Sequence, residues 1–364
     1  MIRINVTAQP RAYEALIENG LLGAAGERLG KALGSRPRLF VVTVAPVRRR
    51  WGKKLLASLR SAGFAPEVLE MPDGEPHKKL ATVERLAEKL VQLGADRSSA
   101  IVAFGGGVVG DTVGLLASLY MRGVDLVQIP TTVQAQLDAA IGGKTGVNLR
   151  AGKNLVGTFH QPRVVLIDPE VLSTLPQREF RAGLYEALKC GVIGNAKLFG
   201  GLERVSPAAL RDDAHGLEWV IAESVRLKAQ VVSADERENG LRRVLNFGHT
   251  IGHALEAASG YRRFLHGEAV AWGMVAASHI AVKVGRLDAG VGDRIGEAVF
   301  GFGPLPPVEA QSRAILRLLQ ADKKTRNGVV HFVLPREIGK VEVVNDVPAR
   351  AVTEAVDALR RLSN

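Results

Sequence analysis

Three histidines and one glutamate have the residue types and spacing of a metal site. His249 and His253 are four residues apart, His266 follows in Leu265-His-Gly-Glu268, and Glu186 lies upstream. On a helix, positions i and i+4 lie on one face, so His249 and His253 can point in the same direction. Imidazole and carboxylate are zinc ligands, and three protein ligands leave one coordination position open for a substrate. The pattern predicts a catalytic metal site.

A glycine-rich turn separates a predicted strand from a predicted helix. Gly105-Gly-Gly-Val-Val-Gly-Asp111 follows the apolar run that ends at Phe104 and precedes a helical segment over 112–120. Glycines let a backbone approach a pyrophosphate, and a helix N-terminus favours anions. The spacing differs from the usual Gly-x-Gly-x-x-Gly, and no acidic residue stands where a ribose contact is expected. By itself, the turn fits either a nucleotide site or a tight connection.

Several basic residues lie inside glycine-rich or helical motifs. They are Arg122, Lys144, Lys153, Lys189 and Arg242. The pairs Gly143-Lys144 and Gly152-Lys153 resemble phosphate or carboxylate contacts, although the spacing is not that of a P-loop. Solvated lysines in turns are the alternative for either pair alone. Glu186 and Lys189 share a helix face at i, i+3. The placement favours a multiply anionic small ligand.

The elements that must position these residues fall into two halves. Predicted strands over 38–43, 66–71, 99–104 and 126–130 alternate with helices over 51–62 and 80–93, which indicates βαβ units and a parallel sheet. Amphipathic helices then dominate, over 178–193, 216–236, 248–259 and 267–285. We therefore predict an α/β Rossmann-like nucleotide-binding domain over residues 1–170. A mainly α-helical domain that binds metal and substrate is predicted over 171–364.

The bulk composition is that of a globular enzyme. The chain has 364 residues, with 46% hydrophobic and 23% charged residues, and the length favours two domains. The single cysteine, Cys190, excludes an intramolecular disulfide and a cysteine-based zinc site, and it fits a reducing compartment. Neither a signal-peptide pattern nor an apolar run of roughly 18 residues is present. We expect a cytoplasmic protein without a membrane partner.

The net charge of +11 raises the question of nucleic acid. Nucleic-acid binders concentrate their basic residues in a stripe or arm with aromatic residues between them. Here aromatic residues are 5% of the chain and the basic residues are dispersed. The cluster Arg48-Arg-Arg-Trp-Gly-Lys-Lys54 is interpreted as a solvated helix face. We therefore expect a small anionic ligand and no nucleic-acid partner.

Taken together, the motifs resemble the 3-dehydroquinate synthase family from about Pro72 to Gly339. The motifs that carry the resemblance are Gly105–Asp111, Tyr120-Met-Arg-Gly123, Pro130-Thr-Thr132, Gly142-Gly-Lys-Thr145, Gly152-Lys-Asn154, Thr174-Leu-Pro-Gln-Arg-Glu179, Glu186–Lys189, Leu245-Asn-Phe-Gly-His-Thr250, Leu265-His-Gly-Glu268 and Asp322-Lys-Lys324. The resemblance implies the dehydroquinate synthase-like fold of an α/β domain and a helical domain.

The resemblance also implies a role for each matching residue. The ligands of one divalent ion, Zn²⁺ or Co²⁺, would be Glu186, His249 and His266, with His253 as a catalytic acid/base or substrate contact. Substrate groups would contact Asp138, Lys144, Lys153, Asn154, Lys189, Lys228, Arg242, Asn246 and one of Lys323 or Lys324. NAD would contact Glu75, Lys78, Gly105, Gly106, Gly107, Val108, Asp111, Thr131, Thr132, Lys144, Lys153, Thr174, Leu175 and Glu179. Arg122 would reach the site of a second subunit, which implies a homodimer.

The family's reaction converts 3-deoxy-D-arabino-heptulosonate 7-phosphate to 3-dehydroquinate and phosphate in the shikimate pathway. It is a lyase reaction of aromatic amino acid and chorismate biosynthesis, with catalytic NAD. Two enzymatic alternatives share the architecture: another sugar-phosphate cyclase, and a metal-dependent polyol dehydrogenase. Glycerol would not need the many cations, and Asn246, Arg242 and Lys228 favour a substrate with a carboxylate.

The chain departs from the family's pattern at two places. The family usually has Asp or Asn after the first core strand, near the adenosine ribose, where this chain has the shorter Val42-Thr-Val-Ala-Pro46. Ala139-Ala140 stands where the family commonly has two serines. The first departure concerns the binding of the cofactor ribose.

Overall fold

The computed structural model describes residues 1–34, 36–238, 240–321 and 330–363. The chain forms two compact units. Unit 1 comprises Met1–Pro176 and Asp213–Arg237, and unit 2 comprises Gln177–Asp212 and Glu238–Asn364. The predicted substrate contact at Lys323 or Lys324 lies outside the described residues.

The described residues of unit 1 form nine strands. They are β1 (Ile2–Val6), β2 (Tyr13–Ile17), β3 (Leu39–Thr43), β4 (Pro66–Glu70), β5 (Ala100–Gly105), β6 (Asp125–Pro130), β7 (Lys144–Leu149), β8 (Gly152–Phe159) and β9 (Val164–Ile167). Seven of them form one sheet in the order β1-β2-β9-β6-β5-β3-β4, in which only β1 and β2 pair antiparallel. β7 and β8 form a separate antiparallel hairpin.

The helices of the two units follow in chain order. They are α1 (Ala25–Leu33), α2 (Ala45–Val47), α3 (Lys53–Ser61), α4 (Leu80–Gln92), α5 (Gly107–Leu119), α6 (Gln177–Gly194), α7 (Ala196–Leu202), α8 (Pro207–Asp212), α9 (Ala214–Ala234), α10 (His249–Ala258), α11 (His266–Lys283), α12 (Ala289–Gly301), α13 (Ser312–Ala321) and α14 (Ala349–Leu362). A π-helical turn, Arg48–Gly52, joins α2 to α3. Helices α1–α5 and α9 belong to unit 1.

The central strands of unit 1 explain where a nucleotide can bind. Every residue of β3 and β5 is buried, as expected for parallel strands that are covered on both faces. From β3 the chain crosses to β4 on one side and then returns to β5 on the other side. Such a reversal leaves a crevice at the carboxyl ends of the two strands, where ligands of open α/β sheets bind. Gly105 ends β5 at this point.

Unit 2 is mainly helical. The central helix α11 is buried along most of its length, including Trp272 and Met274. An apolar helix of this kind must be surrounded by other elements, and α6, α10, α12 and α14 pack against it. Unit 2 also has one antiparallel hairpin, β10 (Phe332–Glu337) with β11 (Lys340–Val344).

The predicted fold class is confirmed, with differences in detail. The nucleotide-side helix begins at Gly107 instead of residue 112, and the sequence patterns had not indicated β1, β2, the β7–β8 hairpin, β9 or β10–β11. A division into 1–170 and 171–364 also differs from the structure, because 213–237 belongs to unit 1. There α9 packs against β1, a contact that helical periodicity cannot reveal. Within the described residues, none of the helices is long and apolar enough to cross a bilayer.

Candidate active site

Three helices of unit 2 bring the predicted metal ligands together. Glu186 lies on α6, His249 begins α10, and His266 begins α11. The Oε1 atom of Glu186 lies 3.8 Å from Nε2 of His249 and 3.4 Å from Nε2 of His266. His253, one turn after His249, joins the group. Ligand atoms of the three histidines all lie within 4.8 Å of one another.

The geometry of the cluster is compatible with two ligand sets. The three imidazole rings are mutual neighbours, with centroids 5.2, 5.3 and 5.6 Å apart. Glu186 faces two of the rings from the side of α6. A divalent ion could therefore take Glu186, His249 and His266, or the three histidines alone. The carboxylate of Glu186 is buried, and its Oε1 atom faces ring nitrogens of both His249 and His266, which favours a cation between these groups.

Close helix packing fixes the distance between Glu186 and His266. A Cβ atom on Gly267 would lie 1.8 Å from the carbonyl oxygen of Ala182, one turn before Glu186, so only glycine fits there. The start of α11 is also held by Arg178 on α6. The Nε and Nη2 atoms of Arg178 donate to the two oxygens of the buried Glu268 at 2.7 and 2.8 Å. Glu268 in turn accepts from the backbone N–H of Leu265 at 2.9 Å.

Burial and neighbouring charges separate the pKa values of the two histidines. Burial and the charge of Lys189 lower the pKa of His249 to about 4. Burial also acts to lower the pKa of His266, but hydrogen bonds with Glu186 and Glu256 outweigh it and raise that pKa to about 9. The pKa of Glu186 is well below its usual value: burial opposes this, but Lys189 and the two histidines dominate. The cluster therefore favours positive charge beside an ionised carboxylate.

Unit 2 adds two cations and an amide near the same helices. The Nζ atom of the buried Lys189 lies 2.6 Å from Oε2 of Glu186. Arg242 is 2% exposed, in the 3₁₀ turn Leu241–Asn246 that precedes α10. The amide of Asn246 donates to Glu238 Oε1 at 2.8 Å. Since a guanidinium does not lose its proton in proteins, Arg242 is a fixed buried positive charge.

Unit 1 joins several predicted cofactor and substrate residues in one polar chain. The Nζ atom of the buried Lys78 donates to Asp111 at 2.5 Å and to Asn154 at 2.6 Å. The backbone N–H of Asn154 donates to the side chain of Asn148 at 2.9 Å, and the Asn148 amide donates to Glu75 at 2.7 Å. These hydrogen bonds connect the turn around Glu75, helix α5 and the β7–β8 hairpin.

The carboxyl end of β5 has the shape of a phosphate cradle. Gly106 and Gly107 are half-buried where α5 begins, and a Cβ on Gly107 would meet only Ala139, at 3.5 Å. The carbonyl of Gly105 accepts from the N–H of Thr131 at 3.0 Å, which places Thr131 and Thr132 beside the turn. The space before Gly107 and the N-terminus of α5 fit a pyrophosphate.

A second ion pair of unit 1 links Lys228 to Asp138. The Nζ atom of Lys228, on α9, lies 2.5 Å from Oδ1 of Asp138 and 2.5 Å from its carbonyl oxygen. Lys144 is exposed at the start of β7, and Lys153 is half-buried in β8. The pairing explains why α9 belongs to unit 1 although the sequence places it between helices of unit 2.

The remaining predicted residues lie on less enclosed parts of the chain. Val108 and Leu175 are half-buried, whereas Thr174 and Glu179 are exposed. The hydroxyl of Thr174 accepts from the indole N–H of Trp51 at 2.9 Å. Arg122 is exposed and follows Met121, and both have left-handed backbone angles, φ 70° and 48°. Consecutive non-glycine residues in this region are strained, and strain of this kind clusters at functional sites.

Sequence reasoning missed two residues that contact the predicted set. Asn148 connects Glu75 to Asn154, and nothing in its neighbourhood marks it except the preceding Gly-Lys-Thr turn. Glu256 is a buried carboxylate whose Oε2 lies 3.2 Å from Nδ1 of His266. The signal for Glu256 was available, because it follows His249 and His253 at i+7 and i+3 on one helix face.

Solved structures with the same architecture define the class of protein. ValA, the 2-epi-5-epi-valiolone synthase from Streptomyces hygroscopicus subsp. jinggangensis 5008, was solved with NAD⁺ and Zn²⁺; it is 34% identical, with a TM-score of 0.88 over 98% of this chain and 99% of that one. A 2-deoxy-scyllo-inosose synthase complexed with carbaglucose-6-phosphate, NAD⁺ and Co²⁺ is 27% identical, with the same TM-score and coverage. The fold is that of the sugar-phosphate cyclases.

Sequence comparisons identify the family within this class. The N-terminal and C-terminal family models of 3-dehydroquinate synthase match residues 68–182 and 183–325. The 3-dehydroquinate synthase of Koribacter versatilis (strain Ellin345) is 53% identical over 100% of this chain and 99% of its own length. That of Solibacter usitatus (strain Ellin6076) is 49% identical over 96% of this chain and 97% of its own. The chain belongs to the 3-dehydroquinate synthase family.

Proposed function

We propose that the chain converts 3-deoxy-D-arabino-heptulosonate 7-phosphate to 3-dehydroquinate and phosphate, as a carbon–oxygen lyase. The observation that carries the proposal is the cluster of Glu186, His249 and His266 beside Lys189, in a chain 53% identical to a 3-dehydroquinate synthase. An ionised carboxylate, two imidazoles and a cation fit a substrate that binds through oxygen atoms to both a metal and the protein.

The proposed metal ligands are Glu186, His249 and His266, with Zn²⁺ or Co²⁺ as the ion. The distances from Glu186 to the two Nε2 atoms support this set. His253 is then proposed as the acid/base or as a substrate contact, because its ring lies beside the rings of both ligand histidines. When bound, the ion supplies a Lewis acid that polarises a substrate hydroxyl, and NAD supplies a hydride acceptor and donor.

We propose that residues of unit 1 bind NAD, with the glycine-rich turn after β5 at the pyrophosphate. They are Glu75, Lys78, Gly105, Gly106, Gly107, Val108, Asp111, Thr131, Thr132, Lys144, Lys153, Thr174 and Leu175. Glu179 of unit 2 completes the predicted set. The glycines leave room for phosphate oxygens near the start of α5, and Lys78 orders Asp111 and Asn154 around a single ammonium group.

Substrate contacts are proposed separately for each unit. From unit 1 we propose Asp138, Lys144, Lys153, Asn154 and Lys228, and from unit 2 Lys189, Arg242, Asn246 and Lys324. Arg242 and Lys189 are almost fully buried, so their charges act in a low dielectric where an anion is bound strongly. The leaving phosphate can itself accept the proton that elimination releases, so no dedicated strong base is required among the side chains.

Two other functions remain as alternatives to test. The two solved cyclases named above act in the same architecture, and a polyol dehydrogenase resembles the chain in fold: glycerol dehydrogenase from Schizosaccharomyces pombe has a TM-score of 0.66 at 15% identity. The fixed charge of Arg242 beside Asn246 favours a substrate with a carboxylate. The density of lysines argues against glycerol.

The decisive experiment is turnover of the heptulosonate phosphate with catalytic NAD and Zn²⁺. We expect one phosphate for each carbocycle and no accumulation of NADH. A heptulose phosphate without the carboxylate serves as the matched substrate, and His249→Ala serves as the inactive control. Equal efficiency on the two substrates would favour another cyclase, and stoichiometric NADH would favour a polyol dehydrogenase.

We also propose that the chain acts as a cytoplasmic homodimer in which Arg122 enters the partner's site. The exposed guanidinium on a strained turn supports this role, because its planar fork suits phosphate oxygens. Mixing Arg122→Ala with His249→Ala tests it. Hybrid dimers would contain one intact site, so about a quarter of the parental activity should return after exchange of subunits in a two-fold symmetric dimer. Confirmed exchange without recovery would contradict the proposal.

A further inference from the structure

The glutamate at the end of α10 contacts a proposed metal ligand from behind. Glu256 is 2% exposed, and its Oε2 atom lies 3.2 Å from Nδ1 of His266. The opposite ring nitrogen of His266, Nε2, lies 3.4 Å from Glu186. His266 is therefore held between two carboxylates, one on each side of its ring.

This arrangement selects a tautomer of His266. A neutral imidazole has one N–H donor and one acceptor nitrogen, and an ionised carboxylate can only accept. When the ring is neutral, the carboxylate of Glu256 therefore keeps the hydrogen on Nδ1 and leaves Nε2, on the side of Glu186, as the nitrogen that can bind a metal. Metal-binding histidines are generally oriented by such a partner, which also increases the basicity of the ligating nitrogen.

His249 has the same arrangement with a weaker partner. Its Nδ1 lies 3.0 Å from the carbonyl oxygen of Phe247, and its Nε2 faces Glu186 at 3.8 Å. Both rings thus present Nε2 to the same point. They differ in that a neutral carbonyl orients His249, whereas a charged side chain orients His266.

We propose that Glu256 is a positioning residue that tightens divalent metal binding by orienting His266 and making its Nε2 atom a stronger ligand. The inference rests on the proposed metal site. A buried carboxylate costs solvation energy unless positive charge compensates it. A divalent ion and Lys189 bring three positive charges to this region, and Glu186 alone would offset only one of them. Glu256 offsets a second, which makes the enclosed site more favourable for a 2+ ion.

The test measures metal affinity in two variants of Glu256, which remove different properties of its side chain. Glu256→Gln removes the charge and keeps an acceptor, although its amide can also rotate and donate to Nδ1, which would place the hydrogen on Nε2. Glu256→Leu removes charge and acceptor together. Outer carboxylates of this kind change metal affinity by about 10- to 100-fold. We expect about tenfold weaker Zn²⁺ binding for Glu256→Gln and about 100-fold for Glu256→Leu.

Competition with a chelating dye gives the affinity, and the visible spectrum of bound Co²⁺ reports the ligand geometry. Urea unfolding of the metal-free proteins measures stability separately. Asp168→Asn is the matched control, since Asp168 is another buried carboxylate, 1% exposed, that accepts from backbone N–H groups of unit 1. This control should lose stability while its Zn²⁺ affinity and Co²⁺ spectrum stay as in the parent.

The outcomes separate this inference from the proposed function. Affinities within twofold of the parent in both Glu256 variants, or an equal loss in Asp168→Asn, would overturn the positioning role. If Glu256→Leu does not fold, the Glu256→Gln result decides. A parent protein that binds neither Zn²⁺ nor Co²⁺ would instead contradict the proposed metal site itself.

Discussion

The polar centres of the two units are built in different ways. In unit 1, each central cation has its own acid: Lys78 contacts Asp111, and Lys228 contacts Asp138. Lys78 follows the 3₁₀ turn Glu75–His77, Asp111 lies on α5, Asp138 lies in the π-helical turn Ala135–Ala139, and Lys228 lies on α9. In unit 2, one carboxylate, Glu186, faces a cation and two histidines from three packed helices. The pairs of unit 1 surround a glycine-rich turn between β5 and α5, which can bind a ligand with backbone groups. In unit 2, packed helices hold side chains at fixed distances around one point.

Glycine has a different task in each centre. Gly267 in unit 2 permits contact between α6 and α11, because an added Cβ would collide with the backbone of Ala182. A Cβ on Gly107 in unit 1 would make only an ordinary contact, so the space that a side chain would fill is open to a ligand. The comparison predicts that replacing Gly267 disturbs folding and metal binding together, whereas replacing Gly107 can disturb ligand binding alone.

The largest effect is expected for a metal ligand. Glu186→Gln should lose the divalent ion and reduce turnover by about 10³-fold or more, because a Lewis acid contributes several kcal/mol. His253→Ala should keep the ion and lose about 10²-fold in rate, as for a general acid or base. Metal content after gel filtration and kcat provide the two measurements. If His253→Ala empties the site as fully as His249→Ala, the three histidines are the ligands.

The next effect concerns the packing that holds the cluster. Gly267→Ala should lower the free energy of unfolding by about 3 kcal/mol, because overpacking at a backbone contact of 1.8 Å forces α11 away from α6. Gly296→Ala on α12 is the control: its Cβ would have no neighbour within 4 Å, so stability should be unchanged or rise by up to about 1 kcal/mol. Similar unfolding energies for both variants would refute the close contact.

A smaller effect is expected in unit 1. Gly107→Ala should fold as the parent does but bind NAD roughly tenfold more weakly, since a methyl group would occupy the approach of the pyrophosphate. Isothermal titration measures the affinity, and thermal unfolding without NAD measures the fold. Gly30→Ala on α1, where a Cβ meets nothing within 4 Å, should change neither value. Unchanged NAD affinity in Gly107→Ala would remove this turn from the proposed cofactor site.

The effect expected for a single step of one pH unit, at most about tenfold, concerns the pH dependence of metal binding. His266, with a pKa raised to about 9, is protonated at pH 7, and a ligand histidine must be neutral. Zn²⁺ affinity should therefore rise with pH by up to about tenfold per unit between pH 6 and 8, as this proton is displaced more easily. The ring of His249 has a pKa of about 4 and is already neutral in this range, so no proton has to leave it when the metal binds. A flat profile would mean that His266 is already neutral.

Local spacing predicted much of both centres. The i, i+4 pair His249–His253 and the i, i+3 pair Glu186–Lys189 share helix faces as expected, and the glycine-rich turn does end a buried strand at Gly105. The roles of these residues as ligands or substrate contacts stay predictions. Helical periodicity also places Glu256 on the face of His249 and His253. Its role becomes visible only when the structure shows that its carboxylate contacts His266.

The sequence by itself determined the central strands, the helices that carry the metal cluster, the family and which side chains share a helix face, because these follow from local patterns and motifs. Only the tertiary structure decided that α9 joins unit 1, that Asn148 connects Glu75 to Asn154, and that Glu256 stands behind His266. These depend on packing between distant segments: a collision at Gly267, a register in the β7–β8 hairpin, a buried face of α9. Such contacts are selected by shape and burial in three dimensions, which spacing along the chain does not encode.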